Sequence, residues 1–156
     1  MLSLLCLSQT LDCMKADIFQ DISIELKSIE LEEVEMRVSP KSGEQEIDIE
    51  FRMSNQLKIN REQNHVIVLT KIDTSSDILP NIRAQFVIRY VFAAQGISGL
   101  ELDNQGEKNL ADYFKDKLQQ VVVSTTRGIM FSTLKGTLLQ HAILPYNMGV
   151  GQNSES

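Results

Sequence analysis

From Ile22 the apolar residues alternate with polar ones as Ile22, Ile24 and Leu26, shift parity to Ile29 and Leu31, and shift again to Val34, Met36 and Val38. A period of two puts alternate side chains on opposite faces of a strand, and each change of parity needs an extra residue. Residues 18–38 therefore predict one long strand with bulges, or two strands, closed by the turn signals Pro40 and Gly43. The next run, Ile47, Ile49, Phe51 and Met53 followed by Leu57 and Ile59, opposes Asp48, Glu50, Arg52, Ser54 and Lys58. It predicts a strand with one face buried and the other in water, as in an antiparallel sheet covered on a single side. The polar residues 60–64 turn the chain into a third, more apolar and hence more central run over 65–72. A loop holding Asp73, Asp77 and Pro80 leads to the fourth alternation, Ala84, Phe86, Ile88, Tyr90 and Phe92. Four strands in succession imply a meander or a close variant of one.

Gly96, Gly99 and Gly106 mark a crossover of about a dozen residues, long for a compact domain. The period then changes from two to 3.6. Leu110, Phe114, Leu118, Val121, Val122, Thr125 and Ile129 fall on one stripe, with Asp112, Lys115, Asp116, Lys117 and Gln119 facing outward. The segment from Val121 through Thr126 has poor helix propensity, so a fifth strand is the rival reading; the unbroken 3.6 period from Leu110 to Ile129 favours a helix held by packing. Beyond Gly136, Leu138, Leu139 and residues 142–145 return apolar character. The expected organisation is an N-terminal arm over 1–17, one domain over 18–148 and a polar tail over 149–156. The fold class is α+β, a four-stranded antiparallel sheet with a long C-terminal helix packed on one face.

With 156 residues the chain is about one domain, large enough to bury a core without staples. The net charge of −6 and the absence of a basic cluster disfavour nucleic-acid binding, which rests on Lys and Arg displacing counterions. No run of about 18 apolar residues offers a membrane span. Met1 to Leu7 is apolar, yet it has no basic flank and breaks at Ser8 and Gln9, so the expectation is a cytoplasmic protein without an export signal, whose start could be Met14. Cys6 and Cys13 stand alone in the first fourteen residues, without a His or further Cys to complete a metal site. They read as reduced thiols.

No phosphate loop, Cys-x-x-Cys, His-Glu-x-x-His or nucleophile elbow occurs in the chain. The two histidines, His65 and His141, fall in different predicted elements and read as structural residues. The expectation is a non-enzyme without cofactor or metal, whose function lies in its surfaces. Three surfaces stand out. Glu30, Glu32, Glu33 and Glu35 share the first strand with Leu31, Val34 and Met36, giving either a solvated face or a docking patch for a basic partner. Ser124, Gly128 and Ser132 recur every four residues, a line of small side chains that suits a subunit interface or close packing on the chain's own sheet. Phe92, Ile97, Leu100 and Leu102 around the crossover, with Tyr113 and Phe114 on the helix, either close the core or line a groove for extended apolar segments.

The order of four strands, glycine-bearing crossover, long helix and apolar return resembles the SecB protein-export chaperones. Val91-Phe92-Ala93-Ala94-Gln95-Gly96-Ile97 is similar to the family's Ile-Phe-Ser-Ile-Ala-Gly-Ile, Thr126-Arg127-Gly128 to its Ser-Arg-Gly, and Pro145-Tyr146-Asn147-Met148 to its Pro-Val-Asn-Phe. The resemblance spans about residues 18–148 and implies a homo-oligomer, a dimer of dimers, whose grooves hold unfolded precursor polypeptides without nucleotide. The candidates for client contact are Phe86, Phe92, Ile97, Leu100, Leu102 and Phe114, the apolar positions of the fourth strand, the crossover and the helix. The resemblance also implies docking of the SecA motor on an acidic stretch of the first strand. Two registers fit that stretch, Asp21-Ile-Ser-Ile-Glu25 by letter and Ser28-Ile-Glu-Leu-Glu32 by strand order, so Asp21, Glu25, Glu30 and Glu32 are the candidates. About eight extra residues separate Arg-Gly from the final Pro-x-Asn, and the tail is brief, which leaves open a SecB-like protein dedicated to one partner such as an antitoxin. A small-molecule-binding protein with a pocket near His141 is the third reading.

Overall fold

The computed structural model describes residues 19–37, 48–140 and 142. The arm, Cys6, Cys13, the Pro40 and Gly43 turn, His141, the Pro-x-Asn segment and the polar tail lie outside them. The elements in order are β1 (Ser23–Arg37), β2 (Glu50–Asn60), β3 (His65–Ser75), β4 (Arg83–Gln95) and α1 (Asn104–Leu134). They form one antiparallel sheet in the order β1-β4-β3-β2. Strands β2, β3 and β4 are a meander, and β1 returns to the far side of β4, a Greek-key arrangement and hence the variant of a meander.

The two parity shifts in β1 are two bulges in a single strand, at the register breaks between Leu26 and Ser28 and between Leu31 and Glu33. They keep the apolar residues on one side: Ile24, Leu26, Ile29, Leu31, Val34 and Met36 stand opposite Ala94, Phe92, Tyr90, Ile88, Phe86 and Ala84 of β4. Those six β4 residues are all buried beneath the helix. In the β2–β3 turn, Asn60 Oδ1 accepts from the Gln63 N–H at 3.1 Å. Asn64 closes the turn at φ 52, a left-handed conformation that Asn tolerates.

The helix starts earlier and ends later than its stripe predicts. Asp103 caps it by accepting from the Gly106 N–H at 2.7 Å, so Gly106 belongs to the first helical turn rather than to the crossover. A Cβ on Gly106 would come within 3.1 Å of the Leu102 side chain and 3.2 Å of the capping carboxylate. The chain leaves the helix through Gly136 at φ 81, and Leu139 and Ala142 then turn back into the core. Residues 121–134 are helical throughout, which excludes the fifth strand.

The buried stripe also differs from the expected one. It runs Leu110, Phe114, Leu118, Val122, Thr126, Met130 and Leu134, with Val123 beside it. With about 3.6 residues per turn, a repeat of four advances roughly 40° each time, so the buried face winds around the helix. Val121 is thereby turned out, and Thr125 and Ile129 are only half-buried. The poor helix formers are held by packing, as Val122, Val123 and Thr126 sit in the core. Tyr90 of β4 joins the layers, its hydroxyl 2.6 Å from Thr126 Oγ1 and donating to Val122 O at 3.4 Å. Burial pushes the Tyr90 phenol up to about 12, with the Thr126 hydrogen bond opposing the shift.

A candidate polypeptide-binding furrow

Helix α1 lies over β2, β3 and β4. At the β2 edge it does not close down completely. Leu57 and Ile59 of β2 face Leu110 and Ala111 of the helix across an open cavity of about 550 Å³, rimmed by Asn55, Gln56, Arg61, Glu107 and Lys115. That is within the range of ligand pockets, about 300–1,000 Å³. A narrower cleft continues along the same seam, sharing Asn55, Leu57 and Lys115 and reaching Val68, Phe114, Leu118 and Val122. Together they make a furrow with an apolar floor and a polar rim. Strand β2 ends the sheet among the described residues, so the backbone groups on its outer side have no neighbouring strand.

Asn55 is the irregularity that opens the furrow. It stands at an inward-facing position of β2 where the alternation calls for an apolar residue, and its Oδ1 accepts from the buried Thr70 hydroxyl at 2.6 Å. One end of the furrow is fixed by Arg61. Its guanidinium donates to Leu100 O and, at 3.4 Å, to Ile97 O, and lies 3.7 Å from the Glu107 carboxylate. Asn64 Oδ1 accepts from the Ser98 N–H at 3.1 Å, so the β2–β3 turn holds the crossover down at two points.

The six expected client-contact residues divide. Phe86, Phe92, Ile97 and Phe114 are sealed in the core, none more than 2% exposed, and cannot touch a guest in this folded chain. The physical reason is that their β4 and helix positions face each other, and Gly96 at φ 95 turns Ile97 inward as a plug. Leu100 and Leu102 are half-buried and remain on the surface of the crossover. The open seam therefore lies between β2 and the helix rather than between crossover and helix. The sequence places Leu57 and Ile59 on a buried strand face and Lys115 on the helix exterior without marking them, or Ala111, as a binding site; the one signal is Asn55 and Gln56 interrupting an otherwise regular strand.

The acidic residues are exposed, and three of them, Glu25, Glu30 and Glu32, are engaged within the chain. Arg89 of β4 holds Glu32 at 2.6 Å and Glu30 at 3.8 Å, and Lys27 holds Glu25 at 2.7 Å. Glu25, Glu30, Glu33 and Glu35 pair with Ala93, Arg89, Val87 and Gln85, on the face of the sheet away from the helix. Asp21 is exposed just before β1. Ser124, Gly128 and Ser132 are exposed on the outer side of α1, so they do not pack on the chain's own sheet. Val121, 41% exposed, and Phe131, 59% exposed, flank them. No group of three metal-ligating side chains and no helix long and apolar enough to cross a membrane occurs among the described residues.

An antiparallel sheet in this order, covered on one face by a single long C-terminal helix, is the SecB-like α+β fold. The chain superposes on the Mycobacterium tuberculosis Rv1957 SecB-like chaperone, solved in complex with a ChAD peptide from the Rv1956 HigA1 antitoxin, with a TM-score of 0.58. The match covers 88% of this chain and 92% of that one at 11% identity, a likeness of fold. A protein of unknown function from Streptococcus agalactiae is also similar, at 12% identity over 80% of this chain and 98% of that one, with a TM-score of 0.29. No family model and no curated protein matches the sequence.

Proposed function

We propose that this protein is a polypeptide-binding chaperone of the holdase type, taking extended non-native segments along the furrow between β2 and α1. The observation that carries the reading is the open cavity of about 550 Å³ beside a strand edge, apolar at its floor and polar at its rim. An extended guest gains backbone hydrogen bonds from the free edge and apolar burial against Leu57, Ile59 and Leu110, without side-chain sequence readout. The fold shared with a SecB-like chaperone that holds a peptide supports the same reading.

A second reading is a module dedicated to one polypeptide, and it is favoured by the antitoxin peptide in that neighbour. Suppression of aggregation across several unrelated unfolded proteins selects the general holdase; suppression for one partner alone selects the module. Replacing Ala111 with Trp fills the furrow from the helix side without removing a core residue, and is expected to abolish capture in either case. Capture at the parent level by the Ala111→Trp protein overturns the furrow assignment.

In the same reading the protein works in the cytoplasm, in protein export, as a homo-oligomer. The outward line Ser124, Gly128 and Ser132 is proposed as a contact between copies, supported by its exposure and by Phe131 beside it. Asp21, Glu25, Glu30 and Glu32 are proposed for a basic partner such as SecA, supported by their exposure at one end and along one face of β1.

A further inference from the structure

Asn55 puts a polar group in the middle of an otherwise apolar wall. It shares the helix-side face of β2 with Met53, Leu57 and Ile59, and all four are half-buried. It borders both cavities of the furrow, in company only with Leu57 and Lys115, so it stands where the two meet.

The amide of Asn55 is oriented. Thr70 is fully buried at the paired position of β3, and its hydroxyl donates to Asn55 Oδ1 at 2.6 Å. With Oδ1 turned to β3, Nδ2 points the other way. It has no hydrogen-bond partner among the described residues and is not sealed from solvent, so water serves both amide hydrogens while the furrow is open.

A guest changes that balance. Strand addition to β2 sets one guest side chain beside Asn55 on the same face, and its alternate neighbours beside Leu57 and Ile59. Aliphatic side chains suit Leu57 and Ile59. Beside Asn55 an aliphatic side chain excludes the water and leaves the donors unpaired, and a buried donor without a partner weakens a complex by roughly tenfold. A side-chain carbonyl oxygen replaces the water instead. Lys115, which borders the same two cavities from the helix side, is a donor as well, so the chemistry at this point asks for an acceptor.

We propose that Asn55 sets the register of the guest strand: the segment taken by the furrow carries an amide side chain, Asn or Gln, at one inward position and aliphatic side chains at the inward positions beyond it. The inference rests on the furrow as the polypeptide site and adds to it one point of side-chain recognition. A slip of the guest by one residue turns its amide to the outer face, and a further slip brings an aliphatic group against the Asn55 donors. A single polar residue in an apolar seam fixes the alignment of paired helices for the same reason.

The test is fluorescence anisotropy on the full chain with three short labelled peptides. The first alternates Leu with Thr between terminal lysines, the second has Asn for the central Leu, and the third has Asn for a central Thr. The parent is expected to bind the second about tenfold more tightly than the first or the third. The paired variant Asn55→Leu with Thr70→Val removes both polar partners together and orphans neither; it is expected to bind the first peptide at least as tightly as the second. Equal affinity of the parent for the second peptide and either of the others overturns the proposal, and that comparison needs no variant. So does a preference for the second peptide that persists in the paired variant. Ala111→Trp separates this inference from the furrow itself. Where it blocks all three peptides and the parent shows no preference, the furrow stands and the Asn55 assignment alone falls. Where it blocks none, or the parent binds none, both fall.

Discussion

Phe92 separates a core residue from a client contact, and replacing it with Ala gives opposite results under the two roles. Its ring is 2% exposed, between Leu26 of β1 and Val66 of β3, with the Tyr90 ring centroid at 6.5 Å. Removing a buried Phe side chain costs about 3–5 kcal/mol, the lower end applying where the surroundings relax into the cavity. Leu26, at 37% exposure, borders the site on the open side, so the lower figure of about 3 kcal/mol applies. For a chain of 156 residues each kcal/mol moves the midpoint by roughly 2–4 °C, giving a fall of about 6–12 °C. Thermal melts followed by circular dichroism read this directly. Client-aggregation assays run well below the lower midpoint are expected to show parent-level capture, because the β2 furrow is untouched. A Phe92→Ala protein that melts within about 2 °C of the parent and yet loses capture would refute the assignment of Phe92 to the core.

Tyr90→Phe removes the hydroxyl bonded to Thr126 and leaves that buried threonine without its 2.6 Å partner, a loss of about 1–1.5 kcal/mol at neutral pH in urea unfolding. The same variant tests the alkaline limb. With the folded phenol at about 12 and the unfolded one near 10, the unfolded chain gives up this proton first. The Tyr90 contribution is therefore complete below pH 10 and falls by about 1.4 kcal/mol per pH unit until pH 12. The parent is expected to lose that much more stability than Tyr90→Phe over this window, and parallel curves would contradict it. Arg61→Ala frees the crossover from the β2–β3 turn by removing its bonds to Ile97 O and Leu100 O. Local opening made easier by about 1.4 kcal/mol corresponds to roughly tenfold faster hydrogen exchange at the Leu100 amide, and unchanged exchange there would show that Arg61 is no latch.

The buried four of the six expected client residues and the exposed edge of β1 have one cause. The helix is a single rod and the sheet is four strands wide, so α1 covers the strands that bear Phe86, Phe92 and their neighbours and leaves β1 uncovered. The sheet thus offers two kinds of edge: β2 with an open seam against the helix, and β1 with an apolar face that nothing described in this chain covers. The proposed client furrow lies at the first of these edges.

Alternation in the sequence determined the four strands, because a period of two leaves no other way to bury one face. The parity shifts over 22–38 already encoded the bulges, and the 3.6 period from Leu110 encoded the helix against the propensity of its valines. The stripe alone placed the helix start six residues late, at Leu110 rather than Asn104, and the Asp103 cap emerged only with the structure. Tertiary structure alone decided which apolar residues are sealed. Whether Phe92, Val121 or Leu31 meets solvent depends on where the helix axis lies over the sheet and on the strand order β1-β4-β3-β2. Hydrophobic periodicity specifies a face; burial requires a second element to cover it, and that pairing is a property of the assembled chain.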